Sequence, residues 1–133
     1  MGLLLTLLIA PWSATARADA AGAVCGSLRT ARIHLIALMG ATNQMTLDNH
    51  IRRIHAASDT LDARLAAMRQ DTDPRDALRA AEFEPVWSAF KHTRETEIIP
   101  AVRAGRVEAA RDIALGVQSE RMKAMKAAMG CGR

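Results

Sequence analysis

The amino-acid sequence predicts an all-α protein, an antiparallel up-down-up-down bundle of four helices. Half of its 133 residues are hydrophobic, yet only 3% are aromatic and none is tyrosine. Chains rich in alanine and poor in aromatic residues favour helix over sheet. In the last third of the chain, apolar residues recur every three or four positions, which is the pattern of one apolar stripe along each helix. Because such a stripe has to be buried against another helix, we expect the helices to pack together.

Residues 1–20 have the pattern of a secretory signal peptide. The apolar run from Gly2 to Trp12 is shorter than the about 20 residues that span a bilayer, and A-x-A cleavage patterns follow it. No basic residue precedes this run, so an uncleaved anchor in the inner membrane is the alternative. We therefore expect one domain, residues 21–133, that is periplasmic or secreted.

Four helices are predicted in the mature chain. The first covers residues 26–42, and its apolar positions extend almost all the way round it. The second carries the most regular repeat and ends before residues 71–74, where Asp73 and Pro74 can begin the third helix. The third helix runs to residue 104, with Pro100 expected to kink it and Pro85 able to split off residues 75–82. Gly105 is the expected turn, and the fourth helix covers residues 106–129.

Two cysteines lie near the ends of the predicted domain, Cys25 and Cys131. In an up-down-up-down bundle, the start of the first helix and the end of the last helix meet at the same end of the molecule. We therefore predict a disulfide between them, which suits an oxidising compartment. It would stabilise the fold by roughly 4 kcal/mol in the chain-entropy model.

The second half of the chain resembles a known family. The resemblance depends on three motifs: F-x-x-x-W-x-x-F-x-x-T-R-x-x-E-I-I-P-A from Phe83, G-x-x-x-A from Gly105 and G-V-Q-x-E-R-x-x-x-M from Gly116. They resemble the four-helix ligand-binding domain of methyl-accepting chemotaxis receptors. The resemblance implies a periplasmic sensor bundle that binds a small molecule. No second membrane helix, HAMP linker or signalling module follows the bundle, so we expect a separate membrane-bound signalling protein as partner, or a truncated relative of the receptors.

Four polar residues of the third and fourth helices are candidates for a ligand site: Arg94, Glu97, Gln118 and Arg121. A small anion held by the two arginines, with Gln118 as a neutral hydrogen-bond partner, is one interpretation. Truncation of Arg94 should then abolish anion binding at little cost in stability. The alternative is structural: Arg94 pairs with Glu97, Arg121 reaches solvent and nothing binds.

Other functions are alternatives of different kinds. A periplasmic four-helix bundle can hold b-type haem, and His34 with Met122 would be the axial ligands; otherwise His34 is a boundary residue and Met122 fills the core. A purely structural bundle would use the apolar surface of the first helix to contact a partner or a second copy. No catalytic arrangement, metal-ligand spacing or basic nucleic-acid footprint is visible. We therefore expect no enzymatic activity, no metal and no nucleic-acid partner.

Overall fold

The computed structural model describes residues 12–132, with side chains from Ala20 onward, and all regular structure in this range is helical. Seven helical segments follow one another along the chain: α1 (Trp12–Leu38), α2 (Gln44–Arg69), α3 (Pro74–Thr93), a π-helical turn (Arg94–Ile98), α4 (Ile99–Arg103), α5 (Val107–Leu115) and α6 (Val117–Met129). The predicted all-α class is confirmed. The four predicted helices are present, with the third and the fourth each divided.

The first helix begins earlier than predicted, at Trp12 instead of residue 26. The segment before Cys25 is rich in alanine, which has the highest helix propensity, and it continues the helix without a break. Ala21 and Val24 are buried in the core. Residues 1–11 of the predicted signal peptide lie outside the described residues, and residues 12–20 belong to α1. Within residues 12–132, no helix is long and apolar enough to cross a membrane.

Two helix N-termini are capped by side chains, and the cap at Asp73 is the one that the sequence predicts. The Asn43 side chain accepts a hydrogen bond of 2.9 Å from the backbone N–H of Thr46 and thereby starts α2. Asp73 accepts one of 2.9 Å from the N–H of Arg75, and Pro74 occupies the first helical position of α3. These caps satisfy N–H groups that have no partner inside the helix.

The third helix differs from the prediction at Pro85 and has an unpredicted feature before Pro100. Pro85 lies inside an uninterrupted α3 and splits nothing off. Before Pro100, the helix widens into the π-helical turn, where the N–H of Ile99 donates to the carbonyl of Arg94, five residues back. Proline has no N–H to donate, and its ring crowds the preceding turn. The extra residue of the π-helical turn accommodates both effects. The following turn at Gly105 is as predicted, with φ of 76°.

The fourth helix is broken at Gly116, a feature that the sequence analysis did not predict. Gly116 has φ of −89° and ψ of −108°, and a Cβ added there would lie 2.9 Å from the carbonyl oxygen of Asp112. The break changes which residues face inward. Val117, expected on the apolar stripe, is 46% exposed, whereas Gln118 is only 2% exposed.

The core contains the predicted stripes of α2 and α3. Every predicted inner position of α2 is buried: Leu47, Ile51, Ile54, Ser58, Leu61, Leu65 and Met68. On α3, the ring of Trp87 stacks on that of Phe90 with centroids 5.8 Å apart. The indole N–H of Trp87 donates to Asp62 of α2 over 2.7 Å, which satisfies the polar atom of a buried ring.

The helices pack α1 on α2, α2 on α3 and α3 on α6, while α1 meets α6 over a smaller area. The predicted Cys25–Cys131 disulfide is confirmed, with the two Cα atoms 5.7 Å apart. It ties the first helix to the end of the last one.

Asp76, in the first turn of α3, is 3% exposed, and its Oδ2 makes no hydrogen bond within the described residues. Burial raises the pKa of this carboxyl, and a hydrogen bond with Asp71 and the charges of Asp71 and Asp73 raise it further. Since the folded-state pKa lies above the unfolded one, the folded state is favoured while Asp76 is protonated and loses that advantage as the pH rises through the folded pKa. We expect Asp76→Asn to raise the Tm at pH 7.

Thermal unfolding followed by circular dichroism at a series of pH values tests this expectation. The gain of Asp76→Asn should shrink as the pH falls toward 4, while Asp112→Asn, at an exposed position, should show no such trend. A lower Tm of Asp76→Asn at pH 7 would mean that the ionised carboxylate stabilises the start of α3.

Candidate ligand-binding groove

A groove with a volume of about 310 Å³ lies between α1 and the α5–α6 segments. Its walls are mainly apolar, and the side chains that form them are Leu35, Ile36, Met39, Phe90, Ala114, Leu115 and Met122. Two of these residues have exposed side chains, Ile36 at 51% and Leu115 at 70%. The groove exists because α1 packs mainly on α2 and leaves a gap toward the broken fourth helix. Volume and lining are in the range of small-molecule sites.

Arginines flank this groove from both helices, Arg32 on α1 and Arg111 on α5. Both are exposed. Arg111 pairs with Glu108 one turn earlier on α5, whereas Arg32 has no ion-pair partner among the side chains that the structure describes. An apolar cleft with guanidinium groups at its edge can hold a molecule with an alkyl part and an anionic head.

Gln118, one of the residues predicted to bind ligand, lines the groove. Its amide nitrogen donates to the carbonyl of Phe90 over 2.9 Å, and its amide oxygen accepts from Arg121 over 3.0 Å. Arg121 also donates to the hydroxyl of Thr93 over 2.7 Å. Gln118 and Arg121 therefore form one hydrogen-bond network that joins α6 to the end of α3, directly before the π-helical turn.

Arg94 is separate from that network. It is 2% exposed, its Nη1 donates to the hydroxyl of Ser58 on α2 over 2.9 Å, and its Nε donates to Glu95 over 2.9 Å. Its guanidinium also lies 6.0 Å from the centre of the Trp87 ring. Burial lowers the pKa of the guanidinium, and the charge of Glu95 opposes that shift. Arg94 thus packs as a structural residue between α2 and α3.

The expected pairing of Arg94 with Glu97 is wrong. Glu97 is exposed, and the partner of Arg94 is its neighbour Glu95, which also contacts His55 over 3.0 Å. In an α-helix, residues three apart share a face, but these residues lie in the π-helical turn, whose wider geometry changes that relation. The four predicted residues therefore do not form one site: Gln118 and Arg121 are in contact, Arg94 faces α2 and Glu97 faces solvent.

The structure does not bring together His34 and Met122, the residues considered as haem ligands. Met122 lines the groove between α1 and α6. His34 lines a recess between α1 and α2, where its Nδ1 lies 3.1 Å from Nδ1 of His50. The two side chains therefore lie on different sides of α1.

Sequence analysis missed Arg32, Arg111 and the His34–His50 contact. In the sequence, the two arginines look like any other charged surface residues. Their role depends on the gap beside α1, and hydrophobic periodicity does not predict that gap. The histidine contact did have a signal, because residues 34 and 50 are equally far from the turn near residue 42. Spacing within a single helix does not reveal this contact.

Among the described residues, no group of three or more His, Cys, Asp or Glu side chains is placed to hold a metal ion. Comparisons of the chain with protein-family models, with curated proteins and with solved structures find no match.

Proposed function

We propose that this chain is a non-catalytic, sensor-like module whose groove binds a small amphipathic anion, a carboxylate with a short alkyl tail. The observation that carries the proposal is the groove itself, a cleft of about 310 Å³ with apolar walls and arginines at its edge. An exposed apolar cleft is costly in water unless something covers it. A ligand of this chemistry covers the walls and leaves its charge near solvent.

The choice of an anion depends on the charges around the cleft. Arg32 and Arg111 are the charged residues that line it, and a guanidinium binds a carboxylate through two parallel hydrogen bonds. No carboxylate side chain lines the groove to compete for Arg32. The buried amide of Gln118 is already paired inside the protein, so it forms the floor and is not required to bind the head group.

We further propose an antiparallel up-down-up-down arrangement of the four helices, as in the receptor domains that the sequence resembles. Contacts between neighbouring helices support it, because their residue numbers run in opposite directions. Between α1 and α2, Arg64 contacts Ser27 and His50 contacts His34. Between α2 and the third helix, Asp62 contacts Trp87 and Asp48 contacts Arg103. The disulfide between the two ends agrees with the same topology.

The proposed place of action is the periplasm or the extracellular space, and the proposed receiver of the signal is a membrane-bound protein. Support for the location comes from the disulfide, because such bonds persist in oxidising compartments. The proposed contact surface is the outer side of α1, where Ile33 is 56% exposed. A second copy of this chain is the alternative occupant of that surface.

Titration of the mature protein with octanoate in a calorimeter tests the groove. We expect saturable binding of one octanoate, and a ligand at 100 times its Kd should raise the free energy of unfolding by about 2.7 kcal/mol. Ala114→Trp places an indole in the groove and should abolish binding. Arg32→Gln should weaken the binding of octanoate and leave that of octan-1-ol unchanged, since the alcohol has no charge.

Arg52→Gln is the matched control, because Arg52 is an exposed arginine on α2 that does not line the groove. If the wild type does not bind octanoate, or if Ala114→Trp binds it as the wild type does, the groove is not the site.

A further inference from the structure

His34 of α1 and His50 of α2 form a contact that the proposed function does not use. Their Nδ1 atoms are 3.1 Å apart, and their ring centres are 5.3 Å apart with the planes tilted by 40°. Both side chains are half-buried. The contact lies on the side of α1 that faces α2, away from the ligand groove, so a role for this pair does not depend on the proposed function.

The distance between the two nitrogens fits the coordination of one metal ion. Two imidazole nitrogens bound to one ion at about 2.0–2.1 Å, with roughly 90–110° between the bonds, lie about 2.8–3.4 Å apart. In the metal-free protein, the same distance is a hydrogen bond in which one ring donates its Nδ1 proton to the other. An ion bound to both nitrogens lies to one side of the line that joins them, so the two rings rotate while the helices need little movement.

We propose that His34 and His50 bind a single divalent transition-metal ion of the class of Cu(II), Ni(II) and Zn(II) between α1 and α2. Imidazole is a preferred ligand of these ions. Because the described residues offer no third His, Cys, Asp or Glu at this place, water completes the coordination. The expected affinity is therefore lower than that of a site with four protein ligands.

Two charged residues of α2 line the same recess as His34, Arg53 and Arg64. Arg64 donates to Ser27 and to the carbonyl of Ala23, and Arg53 is the one whose charge acts on His34. Burial lowers the pKa of His34, and the charges of His50 and Arg53 lower it further. This shift favours the neutral imidazole, the form that binds a metal. The same arginine repels a dication, so its removal should strengthen binding.

The test uses the mature protein without a polyhistidine tag, with its disulfide intact. Calorimetry with Zn(II) at pH 7.5 should give one site per chain. His34→Ala and His50→Ala should each raise the Kd roughly tenfold or more, since each removes half of the protein ligands. Arg53→Gln should lower the Kd a few-fold, by removing a nearby positive charge. His92→Ala, an exposed histidine, should change nothing.

Two controls keep the outcome interpretable. Circular dichroism and thermal unfolding without metal show whether each variant is folded. Electron paramagnetic resonance of the wild type with one equivalent of Cu(II) is independent of any variant, and it should show coupling to two imidazole nitrogens. Absence of saturable binding, an unchanged Kd in both folded alanine variants, or a Cu(II) spectrum without imidazole coupling would each overturn the proposal.

Discussion

Removal of the disulfide by Cys25→Ser together with Cys131→Ser is expected to lower the free energy of unfolding by about 4 kcal/mol. The bond links residues 106 positions apart, and the bond restricts the unfolded chain more strongly the longer the loop that it closes. The packing of this protein increases the dependence on the bond, because α1 meets α6 over a small area. Few other contacts hold the last helix against the first.

Chemical unfolding in urea, followed by circular dichroism, measures this loss. The oxidised wild type should unfold at a higher midpoint than the double variant and with a shallower slope, because the bond keeps the unfolded chain more compact. The wild type in a strong reducing agent should reproduce the double variant, which separates the effect of the bond from that of the serine side chains. Equal midpoints for the oxidised and reduced wild type would show that the helices hold their ends together without the bond.

The second large effect is expected from Arg94→Ala, which should lower the free energy of unfolding by about 2–4 kcal/mol, as for other large side chains truncated in a core. Arg94 is 2% exposed and packs beside Trp87, so truncation leaves a cavity. The partner Glu95 is 40% exposed and stays hydrated when Arg94 is lost. The cost therefore comes mainly from lost packing, with little from a stranded charge.

Arg94→Met separates these two causes. Methionine fills much of the same volume without a charge, and buried ion pairs are often replaced by apolar groups at little cost. We expect Arg94→Met to lose less than half of what Arg94→Ala loses in urea unfolding, while both bind octanoate as the wild type does. Equal losses would assign the energy to the hydrogen bonds with Ser58 and Glu95. Loss of octanoate binding in a folded Arg94→Met would mean that the ligand site extends to Arg94.

Local rules were sufficient for much of this fold. The stripe of α2, the cap at Asp73, the turn at Gly105 and the disulfide all follow from residue types at short spacing or from the connectivity of a four-helix bundle. Each of these features depends on residues that are close in sequence or on the two chain ends lying together. Both kinds of proximity can be inferred from the order of the residues alone.

The differences at the candidate site have one physical origin, a change of helical register that periodicity cannot detect. The prediction places a kink at Pro100 but lacks the added residue of the π-helical turn before it, which gives Arg94 a different partner. It took Gly116 as part of a continuous helix, and the break there exchanges Val117 for Gln118 at the buried position. Two of the candidate residues, Arg94 and Glu97, lie inside the π-helical turn, and the other two follow the break at Gly116. Periodicity therefore could not give their relative positions.

The disulfide also changes the topology of the molecule. From Cys25 to Cys131 the backbone and the S–S bond form a closed covalent ring, which contains the second half of α1 and all the later helices. A ring can be cut once without falling into two pieces. A protease that cuts at the exposed turn beside Gly105 would leave a nicked protein whose two pieces stay linked, so that the fragment with α5 and α6 remains attached to α1.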